Sequence, residues 1–216
     1  MAVLAWEDVE RRLAALVDRT VQRLPADGPA AGFGRSAVLA LVCPVGDVPH
    51  LVLTRRGAGL RKDGGLVSLP GGGVDAGETA VEAALREAHE ELGIEPAAVR
   101  VAGRLDDAWS KYGTVVVPVV GSCQRLPELR PNPGEVDEAL VVPLEDLRRP
   151  PERIERMVGG VAFVDEVLDL PSCRVIGLTA DLVLQLVAWL EDRPEDRFRR
   201  RVALLGAVHG PRRGRG

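Results

Sequence analysis

The sequence predicts an α/β (α+β) protein, and three observations carry that prediction. Residues 3–24 place Trp6, Val9, Leu13, Leu16, Val17, Thr20 and Leu24 at spacings of three and four, the mark of one amphipathic helical face. The middle of the chain holds short apolar runs bounded by Gly and Pro, which is how strands read. Near the end, "LTADLVLQLVAWLEDR" is a long apolar-rich stretch without Gly or Pro, a second strong helix with Thr179 as its expected N-cap.

Taken in order, the elements divide the chain into three parts. Residues 1–27 are the N-terminal amphipathic helix and the start of a Pro/Gly linker, "PADGPAAGFG". Residues 28–192 form one domain. In it "SAVLALVCPV" and "PHLVLTRR" flank "GD" and predict a β-hairpin. The loop "GAGLRKDGG" follows, with Arg56, Arg61 and Lys62 close together. A glycine-rich turn leads into a helix over residues 79–92, which Gly93 ends. "VRVAGRL" and "GTVVVPVVGS" read as strands, and Pro118 places the second at an edge or a bulge. "LPELRPNPGE" is a loop, "VDEALVVPLEDL" a strand and short turn, and "VAFVDEVLDL" and "SCRVIG" further short strands. Residues 193–216 are an Arg-rich tail, expected to be flexible and solubilising.

Composition excludes several classes. A formal charge of −4 does not suit a nucleic-acid binder. No uncharged apolar run approaches the roughly 18 residues a membrane helix needs. The N-terminal "MAVLAWEDVERRL" carries charge too early for a signal peptide. The expectation is a cytoplasmic protein with no membrane partner. Cys43, Cys123 and Cys173 are odd in number and widely spaced, so they are expected to be buried free thiols. The N-terminal helix is open to two roles, packing on the core or forming a homodimer contact.

The chemistry concentrates in "REAHEELG", Arg86 to Gly93. On a helix, Val81, Ala84, Leu85, Ala88 and Leu92 share one face, and Glu87, Glu90 and Glu91 share another, roughly 130° away. Three carboxylates at such spacings repel, and a divalent cation relieves the repulsion. All-oxygen ligands suit Mg²⁺ or Mn²⁺ rather than zinc. His89 lies roughly 150° from the acidic face and has no second histidine one turn on, since Gly93 stands there. It is expected to be a partly exposed helix residue and not a ligand. The glycines before the helix let backbone approach an anion or ion closely.

"GGVDAGETAVEAALREAHEELGI", Gly72 to Ile94, resembles the Nudix box, G-x5-E-x7-R-E-U-x-E-E-x-G-U, with U a bulky apolar residue. Gly72, Glu78, Arg86, Glu87, Glu90, Glu91 and Gly93 all match, and Ala88 is small for its U position. The resemblance implies a mixed β-sheet sandwiched between helices, with the N-terminal helix as an addition. It implies a metal-dependent hydrolase of nucleoside diphosphates linked to another moiety. Glu87, Glu90 and Glu91 would hold the Mg²⁺ or Mn²⁺, helped by the carbonyl of Gly71 or Gly72. Arg86 and Glu78 would brace the loop and helix.

The flanks resemble the coenzyme A pyrophosphatase subfamily. "LVLTRRGAGLRKDGGLVSLPGGGVD" matches its pattern at Arg56, Leu60, Arg61, Gly65, Val67, Pro70, Gly71, Gly72 and Asp75. It departs at Gly57 for Ser, Asp63 for His, Leu69 for Phe, Glu78 for Asp, and Ile176 for Trp. The implied substrate is a small nucleotide, coenzyme A or a thioester. The products would be 3′,5′-ADP and (acyl-)4′-phosphopantetheine. Arg56, Arg61 and Lys62 would clamp phosphates. The general base is Glu91 or Glu87, or a loop carboxylate, with Glu135 first and Glu138 behind it. Two alternatives stand beside this reading: another nucleoside diphosphate derivative (ADP-ribose, NADH, a dinucleoside polyphosphate), or a Nudix-fold binding module without turnover.

Overall fold

The computed structural model describes residues 4–18, 34–61, 63–158 and 161–193. The end of the first predicted helix, most of the linker, Lys62 and the tail beyond Arg193 lie outside the described residues. The chain opens with helix α1 (Trp6–Ala14), continued by a 3₁₀ turn over Ala15–Asp18. Its apolar face, Val9, Leu13 and Leu16, is fully buried in the core, so the amphipathic stripe serves packing.

Strands β1 (Arg35–Val45) and β2 (Val48–Arg56) form the expected hairpin, closed at Val45 and Val48. Gly46 takes the turn at a φ of 60°, a left-handed conformation that glycine adopts without steric cost. Then come β3 (Val67–Ser68), β4 (Gly71–Gly73), helix α2 (Ala80–Leu92), β5 (Arg100–Arg104), β6 (Ala108–Trp109), β7 (Val115–Ser122) and β8 (Val136–Pro143). These strands make one sheet in the order β3-β2-β1-β7-β5, with β8 on β2, β4 on β1 and β6 on β7. Only β1 and β7 run parallel; the other pairings are antiparallel, which makes the sheet mixed. A short helix α3 (Leu144–Leu147) leads to a second, three-stranded sheet, β11-β10-β9. It contains β9 (Glu152–Val158), β10 (Val161–Asp169) and β11 (Arg174–Ile176), and helix α4 (Gly177–Leu190) follows.

The large sheet has two apolar faces because its central strands alternate. Leu39, Leu41 and Cys43 of β1 point to the α2 side, where Ala84, Ala88 and Leu92 meet them. Ala40 and Val42 point the other way, toward α1, α3 and α4. Each buried leucine contributes about 1.5–3 kcal/mol relative to exposure. Strands buried on both faces read as continuous apolar runs, which is why β1 and β7 look so uniform in sequence.

The structure corrects three expectations and adds one strand. Cys43 and Cys123 are joined in a disulfide, with Cα atoms 5.2 Å apart, and only Cys173 is a buried free thiol. The parallel register sets Val42 beside Ser122, so the next residues along are lateral neighbours despite their distance in sequence. Pro118 lies in an interior strand. Its carbonyl accepts from Leu105 N–H, so its missing N–H faces the same side, in the gap between β5 and β6 where no ladder bond is required. Thr179 is not an N-cap: α4 begins at Gly177, whose φ of 64° turns the chain directly out of β11. Strand β9, "ERIERMV", has no sequence counterpart among the expected elements, because its charges mask any apolar alternation.

Candidate metal and phosphate site

Helix α2 is fixed at both ends by its own sequence. Thr79 and Glu82 form a capping box: the Thr79 hydroxyl accepts from Glu82 N–H at 3.2 Å, and the Glu82 carboxylate accepts from Thr79 N–H at 2.8 Å. At the far end Gly93, with φ 69°, donates to His89 carbonyl at 2.8 Å, and Ile94 folds back into the core. His89 is exposed, with its nearest ion-pair partner Glu95 at 3.7 Å, away from the acidic face.

The glycine turn decides where the carboxylates go. In β4, the bonds Leu39 N–H to Pro70 carbonyl and Val74 N–H to Arg35 carbonyl put Gly72 inside the β1 ladder. The N–H and carbonyl of Gly71 therefore face away from β1. Gly71 N–H donates to Glu91 Oε2 at 3.1 Å. A Cβ on Gly71 would stand 2.2 Å from Ala37 carbonyl oxygen, and one on Gly72 would stand 2.4 Å from Glu87 Oε1. Both positions are glycine because backbone and carboxylate occupy that space.

Glu91 is 3% exposed. Burial pushes its pKa up to about 7; the Gly71 N–H and Arg56 oppose the shift, while the carboxylates of Glu87 and Glu135 add to it. Arg56 Nη1 lies 3.9 Å from Glu91 Oε1. Glu87 is also raised, chiefly by burial, with Arg86 opposing and Glu90 and Glu135 adding. Arg86 ties the group together. It bonds Glu78 through Nε at 2.9 Å and Nη2 at 3.1 Å, Gly73 carbonyl at 2.9 Å, Glu87 Oε1 at 2.9 Å and Glu90 Oε2 at 3.1 Å. The Arg86 hydrogen bond, aided by Asp75 N–H, holds Glu78 below the usual carboxylate range.

The remaining expected residues divide sharply. Glu135 is exposed on the loop before β8, and its charge reaches Glu87 and Glu91. Its carbonyl accepts from Gly57 N–H at 2.8 Å, which fixes the end of β2 beside it. Glu138 is taken elsewhere. A bulge sets Arg56 against Val136 but Arg55 against Glu138, and Glu138 pairs with Arg55 at 3.0 Å beside Cys173, on the opposite sheet face. Arg61 is exposed on the following loop, and Lys62 lies outside the described residues.

Three positioning residues escaped sequence reasoning. Asp137, the extra residue of the bulge, accepts from Ala58 N–H at 2.9 Å. Asn132 bonds Gly134 N–H through Oδ1 at 3.1 Å and donates its N–H to Glu91 carbonyl at 2.8 Å, tying the Glu135 loop to α2. The "NPG" turn signal marks that site in sequence. Asp63, at a φ of 55°, accepts from Lys111 Nζ at 2.6 Å and Tyr112 Oη at 3.1 Å, latching the loop after β2 to the β6–β7 turn.

Among the described residues no three His, Cys, Asp or Glu side chains stand as a finished metal cage. Glu87 and Glu90 are engaged on Arg86, and Glu91 on Gly71. The donor set nevertheless fits a hard divalent cation: three carboxylates, two of them made costly to ionise by burial, beside a backbone carbonyl outside any ladder.

A mixed sheet between helices, carrying a glycine turn and an acidic helix on one face, defines the class of Nudix-type hydrolases. The chain belongs to that family: the NUDIX domain matches residues 34–158. It is 36% identical over 184 residues to the uncharacterised Nudix hydrolase NudL of Pectobacterium atrosepticum, covering 81% of this chain and 92% of that one. It is 44% identical over 97 residues to NudL of Escherichia coli strain K12, spanning 44% of this chain and half of the relative's length. Among solved structures, the Nudix hydrolase RenU of M. smegmatis aligns with a TM-score of 0.46 and 26% identity, covering 52% of this chain and 72% of that one.

Proposed function

We propose that this hydrolase cleaves the diphosphate of coenzyme A or its thioesters, giving 3′,5′-ADP and (acyl-)4′-phosphopantetheine, with Mg²⁺ or Mn²⁺ held by Glu87, Glu90, Glu91 and the Gly71 carbonyl. The observation that carries the metal and phosphate part is the buried Glu91 carboxylate between Gly71 N–H and Arg56, beside Glu87. Such a carboxylate becomes favourable to ionise once a divalent cation binds it. When bound, the divalent ion neutralises phosphate charge and lowers the pKa of a coordinated water.

The chain's own residues do the rest. Arg56 orients a phosphate oxygen from the end of β2, and Arg61 and Lys62 extend the basic loop along the substrate. Glu135 accepts the proton of the attacking water, since as a loop carboxylate it is free of the metal-holding task. Arg86 and Glu78 keep the glycine turn and α2 in one geometry through the reaction. The coenzyme A part rests on the sequence pattern around Arg56, Arg61 and the glycine turn. It also takes the protein to work in the cytoplasm.

A second reading, another nucleoside diphosphate derivative such as ADP-ribose, is favoured by one observation. Asp63 stands where the coenzyme A subfamily has His, and it is engaged by Lys111 and Tyr112. The deciding experiment incubates the protein with coenzyme A, acetyl-CoA, ADP-ribose, NADH and a diadenosine polyphosphate plus Mg²⁺ or Mn²⁺, and identifies products by mass. Release of 3′,5′-ADP from coenzyme A is the expected result. Intact coenzyme A beside cleaved ADP-ribose transfers the assignment to the second reading.

A further inference from the structure

Strand β9 pairs with β10 on one side, and among the described residues it has no partner strand at its other edge. Such an edge offers its N–H and C=O groups to another strand. The ladder tells which groups point outward. Leu170 N–H donates to Cys173 carbonyl at 2.9 Å, which turns the even residues of β10 toward β11 and the odd ones toward β9. Alternation across the antiparallel pair then turns the backbone of Arg153, Glu155 and Met157 outward. No backbone bond from the described residues reaches these three.

Two copies of β9 meeting about a twofold axis must set outward residue against outward residue. Centred on Arg153, that register opposes arginine to arginine. Centred on Glu155, it opposes glutamate to glutamate. Centred on Ile154, it opposes Arg153 to Glu155 of the second copy and Glu155 to its Arg153, so both pairs attract. By position alone, Arg156 then falls opposite Glu152. Met157, 68% exposed, falls opposite Pro151, so an exposed apolar side chain meets another apolar one. Pro151 has no N–H to give, and it ends the seam there. The backbone pattern admits all three registers, and the charge pattern selects the one centred on Ile154.

We propose that β9 is the seam of an isologous dimer, pairing antiparallel with β9 of a second copy about Ile154 and joining the two small sheets into one. The proposal is independent of the substrate assignment. It differs from the other use of edge charges, which is to repel passing strands.

Sedimentation equilibrium of the full chain across the micromolar range tests it, with Arg153→Glu and Glu155→Arg variants whose folding is checked by circular dichroism. Each substitution turns both attractive cross-strand pairs into like-charge pairs. Each variant alone should therefore self-associate at least about tenfold more weakly than the wild type. Mixed in equal amounts, the two variants should dimerise with each other at close to wild-type strength, because every opposed pair is again of opposite sign. A wild-type chain that stays monomeric across that range overturns the proposal. So does a dimer that both variants form as well as the wild type, which would belong to another surface. Failure of the mixture to associate overturns the register.

Discussion

The two faces of the large sheet are built from the same strands and do opposite work. On the α2 face, Arg56, Glu91 and Glu135 lie together, and Arg56 and the Gly71 N–H offset part of the cost of burying the Glu91 charge. On the α4 face, Leu51, Leu53, Leu140 and Val142 meet Leu182, Val183 and Leu186 in an apolar core. Arg55 and Arg56 are adjacent in sequence, yet the first pairs with Glu138 on one side and the second approaches Glu91 on the other. The strand period of two sends these neighbouring side chains to opposite faces.

Breaking the chemical face should give the largest effect. Glu91→Gln is expected to lower kcat by at least about 100-fold, as loss of a metal-holding carboxylate does, while urea unfolding shows no loss of stability. Retained turnover in a single-turnover assay would remove Glu91 from the site. Breaking the packing face should do the converse. Leu53→Ala is expected to cost about 2–5 kcal/mol in urea unfolding, with kcat unchanged at temperatures well below the new Tm.

The pH dependence separates the faces further. Glu91 has a folded pKa raised to about 7, above its unfolded value. The folded state therefore binds the extra proton, and the associated stability is fully present below the unfolded pKa and lost as pH rises to about 7. In EDTA, wild-type stability should fall over that window by on the order of 3 kcal/mol at most relative to Glu91→Gln. Added Mg²⁺ should flatten the slope, since it favours the ionised form. Parallel unfolding curves for the two proteins at every pH would contradict this account of the site. The smallest contrast is between the two loop carboxylates. Glu135→Gln should slow kcat about tenfold or more with little change in metal affinity, whereas Glu138→Gln should change kcat less than about twofold, since an exposed ion pair contributes little. Equal effects would erase the distinction between the two carboxylates.

What was legible in the sequence was local. The hairpin at Gly46–Asp47, helix α2 with its Gly93 stop and the acidic face at residues 87, 90 and 91 all depend on residues within a few positions of one another. What was not legible depends on register between distant segments. Cys43 meets Cys123 only because β1 and β7 align in parallel. Pro118 fits an interior strand only because the facing partner is interrupted between β5 and β6. Glu138 leaves the site because the β2–β8 register sets it opposite Arg55, and that register is not marked by composition or spacing.

The parallel β1–β7 pairing also has a consequence for the chain as it is made. Cys43 and Cys123, which that pairing brings side by side, are separated by 80 positions. At a translation rate of about 5–20 residues per second, β1 waits on the order of 4–16 seconds for its partner to emerge. During that interval, with β4 and α2 following later in sequence, β2 is the first new partner to reach a strand apolar on both faces. The tight glycine turn between them lets the hairpin close within microseconds, so it acts as a built-in chaperone, screening the nascent chain's stickiest segment until the centre of the sheet can be completed.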